Sequence, residues 1–394
     1  MFSRRTPANL SPNLLARAVD ELRVAGRPVI DLTQSNPTRA GFDYPQDLLE
    51  SLADRRALIY SPRPFGAIEA RRAIAAEYER RGLAVPPEHI ALASSTSEAY
   101  SLLFKVLCDP GDEVLVPQPS YPLFEHLTRL DAVVATRYEL EYHARWSIDL
   151  ASVERALSPR TRAALIVSPN NPTGSFVAPS ELDQLVALCA SRRVALIVDE
   201  VFADYELVPG AAAASGRALA QSNALAFGLG GLSKSVGLPQ VKLAWIVVNG
   251  PADIVSAALA RLELACDTYL SVSTAAQLAA AELLRRGAAV RRQIQHRIEA
   301  NFRSLMAKAE GVPACRVLNA EGGWYAVMQV PSLRSEEDLV LDLLRQDGVL
   351  IHPGYFFDFP RESFLVVSLL AVQQELLEGI ARVLRHFDCG ALQR

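Results

Sequence analysis

The sequence predicts an α/β protein in which a mostly parallel sheet lies between helices and a smaller α+β domain accompanies it. One indication is that short apolar segments alternate with segments of helical periodicity through the middle of the chain. Another is that the apolar segments are continuous, such as ALIV at 164–167 and again at 195–198. Continuous apolar runs are typical of parallel strands that are covered on both faces. With 394 residues, half of them apolar, the chain is long enough to bury such a core.

The predicted strands follow one another through the first two thirds of the chain. They are 90–93, 114–116, 163–167, 194–198, 224–227 and 243–248. After the first strand, SSTSE opens a helix with Tyr100, Leu103, Phe104 and Leu107 on one face. Ser180 is the predicted N-cap of a later helix, between strands 163–167 and 194–198. That pair of strands with its helix forms a βαβ unit, and several more flank it.

A long, charged helical pattern from about 280 to 309 predicts a helix that joins two lobes. Residues 41–285 are the predicted large domain. Residues 286–394 contain GGWYAVMQV, DGVLIHPG and FLVVSLL, which indicate a smaller α+β domain completed by residues 1–40.

Composition and charge exclude several classes of function. The formal net charge of −4 and the lack of a basic tract interleaved with aromatics argue against a nucleic-acid partner. No apolar stretch reaches membrane-spanning length, and no apolar segment follows Arg4 and Arg5, so we expect a cytoplasmic protein. The six histidines and five cysteines have no metal-ligand spacing, so no metal site is predicted. The cysteines, expected as free thiols, are Cys108, Cys189, Cys266, Cys315 and Cys389.

Three polar residues each follow a predicted strand: Asn171 in SPNNPTG, Asp199 after VALIV, and Lys234 in GLSKSVG. Ligands bind beyond the carboxyl ends of parallel strands, so we expect these side chains at one edge of the sheet. A lysine that forms a Schiff base, an aspartate that pairs with a pyridinium nitrogen and an amide that holds a phenolate oxygen suit pyridoxal phosphate. Taken singly, Asp199 also fits a helix N-cap or a salt bridge, and Lys234 a solvated loop lysine.

The segment SSTSE is a candidate phosphate cradle, because hydroxyls and N–H groups at a helix N-terminus bind anions. The alternative is a plain capping box that joins Ser95 to Glu98. Tyr121, between prolines in PQPSYPLF, either stacks on a heterocycle or packs within its loop.

These motifs together resemble the class I/II aminotransferases, which are fold-type I pyridoxal phosphate enzymes. The resemblance runs from IDLTQSNPT to FLVVSLL and includes YSPRPFGAIEARRAI, DPGDEVLVPQPSYP, VDEVFADY and SKSVGLPQVKLAW. It implies that Lys234 and Asp199 are catalytic, and that a homodimer shares its active sites through Tyr60. The cofactor-binding positions it implies are Tyr60, Ser94, Ser95, Thr96, Tyr121, Asn171, Asp199, Phe202, Ser233, Lys234 and Lys242.

Five positions depart from the family pattern. Ser95 stands where glycine is usual, Gly231 replaces a phosphate-binding serine, and Lys242 replaces an arginine. Phe202 replaces a tyrosine that bonds the phenolate oxygen. Val366 stands where the family has the arginine that binds the substrate α-carboxylate, and a valine cannot pair with a carboxylate.

Two hypotheses follow for the substrate. Either another basic residue holds the carboxylate, with Arg361 and Arg39 as candidates and Asn36 beside the latter, or the substrate has no α-carboxylate. The leading prediction is an aminotransferase that exchanges an amino group between an amino donor, expected to be an amino acid, and a keto acid through pyridoxamine phosphate, in a ping-pong reaction. The alternatives are a lyase, decarboxylase or amine transaminase on the same fold, or a non-catalytic binding or regulatory protein.

Overall fold

The structure, a computed structural model, describes residues 2–214, 216–220 and 223–387. The strands within these ranges are β1 (Ile30–Asp31), β2 (Ile90–Ala93), β3 (Glu113–Gln118), β4 (Val134–Tyr142), β5 (Trp146–Ile148), β6 (Thr161–Val167), β7 (Ala195–Asp199), β8 (Ala226–Gly231), β9 (Ala244–Asn249), β10 (Arg316–Val317), β11 (Tyr325–Gln329), β12 (Val349–Leu350), β13 (His352–Pro353) and β14 (Phe364–Ser368). The α-helices are α1 (Leu14–Val24), α2 (Ile68–Arg80), α3 (Thr96–Leu107), α4 (Phe124–Leu130), α5 (Leu150–Ala156), α6 (Pro179–Arg192), α7 (Arg217–Ala220), α8 (Leu232–Ser235), α9 (Ala252–Tyr269), α10 (Thr274–Glu310), α11 (Glu336–Asp347) and α12 (Gln373–Arg385).

The larger sheet has eight strands in the order β2–β9–β8–β7–β6–β3–β4–β5. Its central strands β8, β7, β6, β3 and β4 are parallel to one another. The strand β9 is antiparallel to both of its neighbours, and β5 is antiparallel to β4. The predicted α/β class with a mostly parallel sheet is therefore confirmed.

Both faces of this sheet are covered, which explains the continuous apolar runs. In β6, Ala163, Leu165 and Val167 belong to a core that includes residues of α3 and α9. The alternate residues Ala164 and Ile166 belong to the core on the opposite face, which includes residues of α2, α6 and α10. A strand buried on both faces needs an apolar side chain at every position.

Two local predictions are wrong. The helix α6 begins one residue before Ser180, because Pro179 occupies its first turn and the N-cap is Ala178. The strand predicted at 224–227 is found as β8, which begins at Ala226 and continues through Gly231. A Cβ atom on Gly228 would lie 2.4 Å from the Leu219 side chain, so glycine in this strand makes room for a neighbour.

A four-stranded antiparallel sheet, β10–β11–β14–β13, forms toward the end of the chain. The N-terminal residues pack against the C-terminal part of the chain. The strand β1 pairs with β12, and α1 contacts α11. The predicted connecting helix is found as α10, whose 37 residues span about 55 Å. The domain boundaries 41–285, 1–40 and 286–394 stay a prediction.

None of the helices in the described ranges has the length and apolar composition that crossing a membrane requires. The cysteines Cys108, Cys189, Cys266 and Cys315 are free thiols, and Cys389 lies outside the described residues.

Candidate active site

A cleft of about 320 Å³ lies at the carboxyl edge of the parallel strands. The ends of β6, β7 and β8 and the segments that follow β2 and β3 contribute to it, because these strands all run in one direction. Nine of the eleven predicted cofactor-binding residues line the cleft: Ser95, Thr96, Tyr121, Asn171, Asp199, Phe202, Ser233, Lys234 and Lys242.

Lys234 lies in α8, a single turn directly after β8. The hydroxyl of Tyr205 donates to the Lys234 carbonyl at 2.6 Å and so holds the backbone of this turn in place. The Lys234 Nζ lies 4.8 Å from the ring centroid of Trp324 and 5.6 Å from that of Phe202. Burial lowers the pKa of Lys234 to about 8, against the opposing effect of Asp199. A lysine amine with a lowered pKa is a better nucleophile near neutral pH.

Asp199 is buried at the end of β7, and both of its carboxylate oxygens accept a hydrogen bond. The hydroxyl of Tyr100 donates to Oδ2 at 2.7 Å, and the N–H of Val201 donates to Oδ1 at 3.0 Å. Burial raises the pKa of this carboxyl, and the two hydrogen bonds oppose the rise. Among the described residues Asp199 makes no ion pair, so a cationic partner in the cleft would offset its desolvation.

Asn170 and Asn171 are both buried, but their surroundings differ. Asn170 is saturated: its amide donates to the Pro119 carbonyl and to Thr173, and it accepts from Ser120. The Oδ1 atom of Asn171 is buried and has no hydrogen-bond partner among the described residues. The Asn171 side chain lines the cleft, so its amide is placed to bind a ligand there.

The predicted phosphate cradle is also a helix cap. Ser95 has a φ of −161°, so no glycine is needed there, and its hydroxyl accepts from the N–H of Glu98 at 3.1 Å. Ser95 and Thr96 nevertheless line the cleft at the N-terminus of α3, together with Ser233 and Lys242. Ser94 does not line it, and its N–H donates to Glu98 at 2.6 Å. The phosphate roles stay a prediction.

Lys242 reaches the cleft from a left-handed backbone conformation, with a φ of +59°. This conformation is uncommon for a residue with a side chain, and such residues cluster at functional sites. Tyr121 is 37% exposed, and its ring meets that of Phe124 edge to face at 5.7 Å. Part of the Tyr121 side chain is therefore exposed where it lines the cleft.

The other predicted residues do not line the cleft. Tyr60 is largely exposed, beside Arg63 and Tyr269. The side chain of Asn36 accepts from Thr38. Arg39 and Arg361 are exposed, and the Arg361 guanidinium lies 5.6 Å from the ring centroid of Phe364. Val366 is fully buried in β14, where it pairs with Val327 and His352. Their roles stay predictions.

Four aromatic residues of the site were missed: Tyr100, Phe124, Trp324 and Tyr325. Tyr100 looked like one member of the apolar face of α3, yet its hydroxyl reaches Asp199. Trp324 and Tyr325 come from GGWY, at the start of β11, more than 80 residues after Lys234 in the sequence. The one available signal was the position of Tyr100, a single helical turn after Thr96.

Ion pairs hold the segment after β7 through residues that do not line the cleft. The Glu200 carboxylate lies 3.6 Å from Arg81, at the C-terminus of α2. Asp204 pairs with Arg80 and, at 3.0 Å, with Arg291 of α10. We call these residues the rear ion-pair cluster.

The cleft fits pyridoxal phosphate. It supplies a desolvated lysine amine, a buried carboxylate that makes no ion pair among the described residues, an amide in the lining, and a helix N-terminus with hydroxyls and a second lysine. The fold and this set of side chains define a pyridoxal phosphate-dependent enzyme.

Comparison with known proteins specifies the family. The profile of the aminotransferases of class I and II matches residues 27–384, so the chain belongs to that family. The alanine aminotransferase of Mycobacterium tuberculosis is 27% identical over 382 residues, covering 92% of this chain and 86% of that protein. The glutamate-pyruvate aminotransferase AlaA of Escherichia coli is 28% identical over 360 residues, covering 88% of each. The chain is a pyridoxal phosphate-dependent aminotransferase.

A solved structure shows the same fold. The alanine aminotransferase from Pyrococcus furiosus superposes with a TM-score of 0.88 at 23% identity, over 98% of this chain and 99% of that one.

Proposed function

We propose that this aminotransferase moves an amino group from an amino acid to a keto acid in two half-reactions of a ping-pong cycle. The observation that supports this most directly is the meeting of Lys234, Asp199 and Asn171 in one cleft. When bound, pyridoxal phosphate supplies an aldehyde that condenses with amines and a ring that stores an electron pair.

Lys234 is the proposed proton carrier. With a pKa of about 8, roughly one tenth of its amine is neutral at pH 7 and able to take a proton from a substrate carbon. The rings of Trp324 and Phe202 flank the Nζ atom, keep water away from it and stabilise its protonated form through their π faces. Tyr205 fixes the backbone from which the side chain extends.

The remaining residues bind and orient. We propose that Asp199 holds a negative charge against the ring nitrogen and that the Asn171 amide donates to the phenolate oxygen. Thr96, Ser233 and Lys242 are proposed to hold the phosphate, with the N-terminus of α3 adding its dipole. Phe202 has no hydroxyl and so cannot donate a hydrogen bond to the phenolate oxygen.

The test is a spectroscopic titration of the cofactor-loaded protein. A panel of amino acids should convert the cofactor to its amine form, and a keto acid should then restore the starting spectrum. The Lys234→Ala variant should bind cofactor without either conversion. If amino acids leave the spectrum unchanged while an assay of released carbon dioxide or cleaved product is positive, the enzyme is a lyase or decarboxylase instead.

One observation favours a second candidate, an amine without an α-carboxylate as donor. Within the described part of the chain, the cationic side chains that line the cleft are Lys234 and Lys242, and both have proposed cofactor roles. Arg39 and Arg361 are exposed outside it. Conversion by amines but not by amino acids in the same titration would select this candidate.

We also propose a homodimer. Leu58, Ile59 and Tyr60 form a largely exposed apolar stretch, and Leu264 and Tyr269 are exposed as well. Contiguous exposed apolar residues mark protein interfaces. Light scattering should give twice the monomer mass, and Ile59→Asp should lower it to that of the monomer. A cytoplasmic location is proposed from the free thiols described above.

A further inference from the structure

The hydroxyl of Tyr100 has a specific position that the cofactor roles above do not explain. Tyr100 is 2% exposed on α3, and its ring is fixed by edge-to-face contact with Phe124 at 5.5 Å and by Phe104 at 6.1 Å. A phenylalanine would fill the same space in this aromatic cluster. The hydroxyl is instead directed at Asp199 Oδ2, 2.7 Å away. Burying this hydroxyl costs desolvation free energy, which its hydrogen bond to Asp199 offsets.

Asp199 depends on this hydroxyl more than an exposed carboxylate would. The groups that face it are the N–H of Val201, the hydroxyl of Tyr100, the ring of Tyr121, the like charge of Glu200 and the amine of Lys234. Glu200 and burial both disfavour the ionised carboxylate, whereas Lys234 favours it. Tyr100 supplies the one side-chain hydrogen bond that Asp199 accepts among the described residues. Hydrogen bonds to an ionised acceptor are the strong ones.

We propose that Tyr100 is a positioning residue that keeps Asp199 ionised and aimed at the cofactor ring, and that it thereby sets the acid limit of cofactor binding. The inference rests on the cofactor role proposed for Asp199. Tyr100 remains a donor at every working pH, because burial and the neighbouring carboxylate raise its pKa well above the usual range. Tyr100 lies one helical turn after Thr96, so α3 carries both this residue and the predicted phosphate-binding N-terminus.

The test is the dissociation constant of pyridoxal phosphate as a function of pH, measured by tryptophan fluorescence. In Tyr100→Phe, cofactor affinity should fall roughly ten-fold or more at neutral pH, as for loss of a hydrogen bond to a charged group. Without the donor the Asp199 pKa rises, so the loss of affinity on acidification should begin about one pH unit higher.

Tyr138→Phe is the matched control. Tyr138 is also 2% exposed, and its hydroxyl donates to the Leu165 carbonyl at 2.8 Å, within the same domain but outside the cleft. This control should not move the acid limit. Equal changes in the two variants, or an unmoved acid limit in Tyr100→Phe, would overturn the proposal.

Two further measurements keep the outcome decisive. In an Asp199→Asn background, Tyr100→Phe should have little additional effect on affinity, and a full additional effect would contradict the inference. Incorporation of 3-fluorotyrosine at position 100 makes a stronger donor, so the acid limit should move to lower pH, and an unmoved limit contradicts the inference even if Tyr100→Phe does not fold. Failure of the proposed cofactor site itself is distinguishable, because the wild-type protein would then bind no cofactor at any pH.

Discussion

Replacing Lys234 by methionine should stabilise the cofactor-free protein at pH 7. Burial lowers the pKa of this lysine from 10.5 to about 8, and a shift of roughly 2.5 units corresponds to about 3 kcal/mol at 1.36 kcal/mol per unit. The Trp324 ring, 4.8 Å from the ammonium, stabilises the charged form by about 1 kcal/mol and offsets part of this cost. The net expected gain is therefore about 2 kcal/mol, because methionine fills a similar space without a charge.

The gain should depend on pH with a definite sign. The folded-state pKa lies below the unfolded one, so the destabilisation by Lys234 is fully present below pH 8 and disappears as the pH rises toward 10.5. Urea unfolding of the cofactor-free wild type and Lys234→Met at pH 7 and at pH 10 measures this difference. Lys308→Met, on the exposed surface of α10, is the control and should show neither effect. A variant that is no more stable at pH 7, or whose advantage persists unchanged at pH 10, would refute the reasoning.

Three further outcomes are expected from the same unfolding assay. Gly174→Ala should lose about 3 kcal/mol, since its φ is +70° and a Cβ would lie 2.6 Å from the Gly322 carbonyl oxygen, whereas Gly210→Ala, with a φ of +84° and open space around it, should lose about 1. Tyr205→Phe removes the hydroxyl that anchors the site lysine and should lose about 1–3 kcal/mol, with weaker cofactor binding; unchanged values for both would contradict that role. Burial lowers the pKa of His352 to about 4, so this residue should withdraw up to about 3 kcal/mol of stability as the pH falls from 6.5 to 4, and His352→Leu should flatten that decline.

The fold and the central residues of the site could be predicted because they follow local rules. Asn171, Asp199 and Lys234 each come directly after an apolar run, and parallel strands end at one edge. The sequence alone therefore predicts that these three side chains lie close together, without any knowledge of how the core packs. The same rule explains why Ser95 and Tyr121 line the cleft.

The residues that were missed reach the site through tertiary packing. Trp324 belongs to the antiparallel sheet region, and nothing in GGWY indicates that its ring meets Lys234. The hydroxyl of Tyr100 could not be distinguished from the apolar face of α3, because helical periodicity identifies a face and not a partner. The N-cap at Ser180 was wrong for a similar reason: a proline one residue earlier favours the first helical turn more strongly than a serine favours the cap.

The rear ion-pair cluster has a consequence for attempts to evolve this enzyme. Residues of the segment after β7 serve two purposes: Asp199 and Phe202 line the cleft, whereas Glu200 and Asp204 face arginines at the end of α2 and in α10. A neutral replacement of Arg81 would leave the buried Glu200 carboxylate without its cation, which costs several kcal/mol unless the backbone moves. Because that backbone also carries Asp199, selection for a new substrate should recover substitutions on the outer helices as well as around the cleft. A mutagenesis library restricted to residues within reach of the ligand would omit them.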